Sequence, residues 1–91
     1  MKGRRTPYEI YWEILVYCRT ARSFTAVIGR CDLNSKTGQE YIAFLCSKGY
    51  LRKNHEGDRA LFQSTGAAEE YTIPFSRLYQ KLFDKGPEFR L

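Results

Sequence analysis

The sequence predicts a mainly α-helical domain carrying one small β-hairpin, and three observations predict it. Apolar residues recur at helical spacing in several stretches. A turn-forming run, Asn54-His55-Glu56-Gly57-Asp58, is flanked by two short strand-like segments. The chain holds 91 residues, enough for one small domain and too few for two. Hydrophobic residues make up 43% of it and aromatic residues 15%, which supports a packed core and argues against disorder.

A basic tail, residues 1–6 with Lys2, Arg4 and Arg5, leads into the first helix. Thr6-Pro7-Tyr8-Glu9 combines a Thr N-cap, a Pro at the first helical position and a Glu three residues past the cap. The helix is expected from Pro7 to Arg19 or Thr20, with Ile10, Ile14, Tyr17 and Cys18 along one face. Trp12, Leu15 and Val16 widen the apolar surface beyond one contact, which predicts cover on two sides, one of them from another chain. Ser23 to Cys31 reads as a short second helix, with Phe24, Val27, Ile28 and Cys31 as its stripe. After the turn Asp32-Leu33-Asn34-Ser35, a third helix capped by Asn34 or Ser35 runs to Lys48 and stops at Gly49. Its inward face is Tyr41, Ile42, Leu45 and Cys46, and its opposite face is small and polar. Tyr50 to Lys53 and Arg59 to Gln63 form the hairpin, which is too short to stand without the helices. The last helix starts at Ser64 or Thr65 and continues to about Lys85, before Gly86-Pro87. Tyr71, Phe75, Leu78 and Leu82 form its apolar seam, with Tyr79 and Phe83 alongside. Pro74 is expected to kink or divide it near Thr72.

The order helix, helix, turn, helix, hairpin, helix is that of a winged helix-turn-helix: a three-helix core, a two-stranded wing and a C-terminal dimerisation helix. Residues 7–63 make the domain and residues 64–91 the dimerising helix. The third helix can rest its inner stripe on the first two while its polar face enters a DNA major groove. Candidate DNA contacts are Arg30, Ser35, Lys36, Thr37, Gln39 and Glu40 around that helix, Arg52, Lys53 and Arg59 on the wing, and Lys2, Arg4 and Arg5 in the tail. Candidate dimer contacts are Trp12, Val16, Tyr71, Phe75, Leu78, Tyr79 and Leu82. The net charge of +5 points the same way. Residues 22–63 hold seven Lys or Arg against four acids, whereas residues 64–91 hold four of each. Glu56 and Asp58 at the wing tip would repel phosphate, and together with Glu40 they favour the alternative, a winged-helix protein-interaction module in a transcription or processing assembly.

Enzymatic and metal chemistry find no support. Cys18, Cys31 and Cys46 lie 13 and 15 residues apart inside apolar patterns, without the close pairs of a zinc site, and read as small core residues. His55 has no nucleophile or paired acid placed to work with it. No cofactor and no small-molecule ligand are expected. Glu9, Glu13 and Arg19 interrupt the first apolar segment, which excludes a signal peptide, and no stretch reaches the ~20 apolar residues of a membrane span. The expected location is the cytoplasm, at the nucleoid.

The pattern Tyr8-Glu9-Ile10, Ile14-Leu15, Thr25, Val27-Ile28, Leu33, Tyr41-Ile42, Phe44-Leu45 and Lys48-Gly49-Tyr50-Leu51, with Gly66 opening the last helix, resembles an archaeal winged helix-turn-helix family. That family includes small nucleoid-associated DNA-binding proteins and regulator-like relatives. The resemblance covers roughly Tyr8 to Phe83 and rests on hydrophobic patterns and one Lys-Gly step, so it specifies fold better than target. It implies binding of double-stranded DNA as a homodimer paired through the C-terminal helix. Gly38 stands where an apolar core residue is usual in that family.

Overall fold

The computed structural model describes residues 5–83. Helix α1 (Pro7–Tyr17) begins on the capping box written in the sequence: Glu9 N–H donates to Thr6 Oγ1 at 3.2 Å, and Thr6 N–H donates to Glu9 Oε1 at 2.9 Å. It ends earlier than its apolar pattern predicts. The Cys18 carbonyl, which a longer helix would keep, accepts instead from Ser64 N–H at 2.8 Å. The chain then forms a strand that the sequence does not predict, β1 (Arg22–Ser23). Two residues carry no readable periodicity, and β1 exists only through its pairing with a distant strand.

Ser23 caps α2 (Phe24–Arg30), accepting from Ala26 N–H at 3.2 Å. The turn that follows puts Asp32 at φ 58, a left-handed conformation that Asp tolerates better than most residues. Leu33 N–H reaches back to the Ile28 carbonyl at 2.9 Å. Asn34 then caps α3 (Ser35–Ser47), its Oδ1 accepting from Thr37 N–H at 2.8 Å. At the far end Gly49 adopts φ 78. Gly49 N–H bonds to the Cys46 carbonyl and Tyr50 N–H to the Leu45 carbonyl, both at 3.0 Å, the paired bonds of a Schellman stop.

The hairpin is longer and its turn tighter than expected. Strands β2 (Leu51–Glu56) and β3 (Arg59–Ser64) leave only Gly57-Asp58 between them, so Asn54, His55 and Glu56 are strand residues. Gly57 at φ 63 supplies the positive φ that a two-residue hairpin loop needs. The antiparallel sheet has the order β1-β3-β2, with Ser23 opposite Leu61 and Lys53 opposite Phe62. A single 3-10 turn, Gly66–Ala68, leads into α4 (Glu69–Phe83).

Of the two outcomes expected at Pro74, a kink or a division, division does not occur: α4 runs through it. The proline removes the N–H that would bond to the Glu70 carbonyl. Both residues are exposed, so solvent can take the place of that donor. The predicted stop at Gly86-Pro87 lies outside the described residues.

The core forms where these faces converge: Ile10, Ile14, Leu15 and Cys18 of α1, Val27 of α2, and Ile42 and Leu45 of α3. Leu51 and Phe62 of the hairpin and Ala68 close it. Gly38 is part of this packing, because a Cβ there would meet Ile28 Cγ2 closer than the 3.0 Å that real Cβ atoms keep. The glycine lets α2 and α3 approach each other. Among the described residues no helix is long and apolar enough to cross a membrane.

Candidate nucleic-acid interface

The outer face of α3 is open. Ser35, Lys36, Gln39, Glu40, Ala43 and Ser47 are all exposed, while Gly38, Ile42 and Leu45 on the other side are buried. Thr37 is half-buried, with its N–H held by the Asn34 cap. The helix thus presents small and polar side chains over an anchored apolar stripe, the arrangement that admits a helix to a major groove. Arg30 sits half-buried in the last turn of α2.

The hairpin divides its basic residues between two faces. Successive side chains along a strand point to opposite sides, and residues opposite one another in register share a side. Lys53 and its partner Phe62 therefore face α3, whereas Arg52, opposite Gln63, and Arg59, opposite Glu56, lie on the other side. Lys53 and Gln39 line one cleft of about 260 Å³ between α3 and the sheet, with Phe24, Ile42, Cys46 and Phe62 among its other walls. Two of the expected contacts are thereby brought together, and the sheet separates Arg52 and Arg59 from them.

Arg5 departs from its expected place in a free basic tail. Its guanidinium pairs with the Glu13 carboxylate and donates to the carbonyls of Cys31 and Asp32. Glu13 is only 2% exposed within the apolar face of α1, and a charge so far from water requires a partner. Arg5 consequently ties the start of the chain to the turn between α2 and α3. Nothing in the local sequence signals this, since the partners lie 8 and 26 residues away. Lys2 and Arg4 lie outside the described residues.

Trp12 also departs from expectation. It is 8% exposed, donates from Nε1 to Ser76 Oγ at 3.0 Å, and stacks on Phe75 with ring centroids 6.5 Å apart. Helix α4 folds back over α1 and covers this indole within the chain, so Trp12 is not left for a second copy. Val16 is half-buried. Tyr71, Phe75 and Tyr79 are half-buried in a run of ring contacts along α4, whereas Ile73, Leu78, Leu82 and Phe83 are exposed.

Burial pushes the Cys18 and Cys31 thiols up to about 12, which keeps them protonated and unreactive. Cys46 is half-buried in the cleft beside α3, where burial raises its pKa and Lys53 partly opposes the shift. His55 is exposed on β2. Among the described residues no group of His, Cys, Asp and Glu could hold a metal ion.

Residues 4–67 match the model of a family described as winged helix-turn-helix. No curated protein matches the chain. Among solved structures, Sso10a-2, a DNA-binding protein from Sulfolobus solfataricus, superposes with a TM-score of 0.75 at 25% identity, over 88% of this chain and 87% of that one. The transcriptional regulator BldR from the same organism also gives 0.75, at 14% identity; the alignment covers 82% of this chain but 57% of BldR. The homodimeric winged helix-turn-helix DNA-binding domain Mb0332 from Mycobacterium bovis gives 0.68 at 16% identity, over 97% of this chain and 99% of that one. The last two likenesses, at such low identity, speak for the fold alone.

Proposed function

This chain belongs to the winged helix-turn-helix family, and on that premise we propose that it binds double-stranded DNA as a homodimeric regulator or nucleoid protein, with α3 in the major groove. The observation that carries the reading is the open face of α3, where Lys36, Gln39, Glu40, Ala43 and Ser47 stand exposed, with Phe44 as the one large apolar side chain at its edge. Lys53, on the side of the hairpin that faces α3, adds a second positive charge to the same surface. Similarity to Sso10a-2, itself a DNA-binding protein, supports the partner. For the dimer, support comes from the exposed Leu78, Leu82 and Phe83 at the end of α4, which are 57%, 66% and 56% accessible, and from the homodimeric state of Mb0332.

Fluorescence anisotropy of a labelled duplex across a salt series tests the DNA reading. Affinity is expected to fall steeply with salt, and Lys36→Ala with Lys53→Ala is expected to lower the slope of log K against log salt by about 2 while leaving the fold intact. Absence of binding at low ionic strength, or binding indifferent to salt, refutes it. Sedimentation tests the dimer: Leu78→Asp with Leu82→Asp should yield a folded monomer, and a wild-type monomer at high concentration refutes the pairing.

A further inference from the structure

Five aromatic rings gather where the start of α1, the end of α3 and the start of α4 meet. Tyr8 and Tyr11 of α1, Phe44 of α3, Tyr50 just after it and Tyr71 of α4 line a cavity of about 220 Å³. The other two lining residues are Leu45, which is 1% exposed and forms the base, and Lys48, which is exposed at the rim. Tyr11 stacks on Phe44 at 5.1 Å between centroids and Tyr50 stacks on Tyr71 at 6.4 Å, and an edge contact of Tyr11 on Tyr71 at 6.5 Å joins the two pairs along one side of the cavity. Tyr8 at 63% and Phe44 at 41% exposure hold large apolar rings at the mouth.

The chemistry of the lining selects an occupant. A cavity of ~150 Å³ holds a benzene ring, so this one has room for a ring with a substituent. Its walls are flat π-surfaces, which favour a planar guest. The Tyr50 hydroxyl donates to the Glu70 carboxylate at 2.8 Å and the Tyr71 hydroxyl donates to the Tyr8 carbonyl, so both phenols are already satisfied by the protein. Burial raises the pKa of Tyr71 and of Tyr11, and the hydrogen bond to Glu70 raises that of Tyr50, so none of these rings brings negative charge near neutral pH. Lys48 is the one charged residue of the lining, with its Nζ 5.8 Å from the Phe44 ring centroid. A cationic guest would face that ammonium, whereas an anionic one would pair with it.

We infer that this cavity binds a planar aromatic carboxylate, its ring among Tyr8, Tyr11 and Tyr71 and its carboxylate at Lys48. This inference runs against the expectation of no small-molecule ligand. Phe44, Leu45 and Lys48 belong to the same turns of α3 and its cap, so the ligand also bridges α3 to α1 and α4. Binding itself is independent of the DNA reading above; only an effect of the ligand on DNA affinity rests on it.

The test is an NMR titration of the full chain, without DNA, using benzoate and 2-naphthoate as anions, benzamide as a neutral ring and benzyltrimethylammonium as a cation. The carboxylates are expected to shift the resonances of Tyr8, Tyr11, Phe44, Tyr50 and Tyr71 saturably, about tenfold or more tightly than benzamide. Lys48→Met, an exposed change that leaves the remaining spectrum in place, should weaken the carboxylates about tenfold and leave benzamide unaffected. No saturable shift up to about 10 mM, tighter binding of the cation, or indifference to Lys48→Met overturns the proposal. Shifts of the same rings that depend on protein concentration alone also overturn it, because a second copy would then cover the face.

Discussion

Replacing Gly38 by Ala tests how the helix-turn-helix is held together. In an open helix this change is favourable by about 1 kcal/mol, because glycine gives up more backbone freedom than alanine. Here the added Cβ would meet Ile28 Cγ2 inside 3.0 Å, with Phe24 Cε1 and Cζ at 3.6 Å. The Phe24 contacts are ordinary and cost nothing. The Ile28 methyl branches directly from its Cβ and cannot swing away without turning the whole side chain, so α2 and α3 must part slightly. Overpacking of this kind costs about 1–3 kcal/mol, which outweighs the propensity gain. The expected net loss is about 1 kcal/mol, or ~4–8 °C in Tm for a domain of this size. Urea unfolding followed by circular dichroism, at one fixed protein concentration, measures it. Ile28→Ala removes the clashing methyl, so Gly38→Ala in that background should turn stabilising, with a coupling energy of about 1–2 kcal/mol. Ile28→Val keeps both γ-carbons and should preserve the penalty. If Gly38→Ala raises stability in the wild-type background, the close approach of α2 and α3 is not what glycine provides.

Arg5→Ala removes one charge-assisted partner of a carboxylate buried to 2% exposure and should cost about 1.5–3 kcal/mol in urea unfolding, whereas a loss under ~0.5 kcal/mol would mean that Arg5 behaves as a surface charge. Alkaline pH should destabilise the protein through Cys18 and Cys31, whose pKa values rise from 9.0 to about 12 on burial. Above pH 9 the unfolded chain releases thiol protons that the folded chain keeps. Their stabilisation is therefore complete below pH 9 and is lost as the pH climbs towards 12, at about 1.4 kcal/mol per thiol per pH unit. A urea midpoint that does not move between about pH 8 and 10, or one whose pH dependence is unchanged in Cys18→Ala with Cys31→Ala, contradicts this.

The helices were legible because their signals are local. Thr6, Pro7 and Glu9 form a cap within four positions, Asn34 caps α3 directly before it begins, and Gly49 stops it directly after its cap. The inner stripe of α3 follows from periodicity, and the open polar face follows from the stripe. Features that needed distant partners were not legible. β1 is defined by residues 61 and 62, Arg5 by Glu13 and Cys31, and Trp12 by Ser76. Whether Pro74 kinks or divides its helix was not legible for a related reason: its cost depends on whether solvent reaches the Glu70 carbonyl, which the sequence does not state.

By itself, then, the sequence determined the order and polarity of the elements, since caps, stops and apolar spacing act over a few residues. The tertiary structure decided which charges are free and which apolar faces are covered. It turned Arg5 inward, set Lys53 and Arg52 on opposite sides of the wing, covered Trp12 with α4, and assembled an aromatic cavity from residues as far apart as Tyr8 and Tyr71. Exposure and pairing are properties of positions in space, and chain spacing carries them only where partners are also neighbours in sequence.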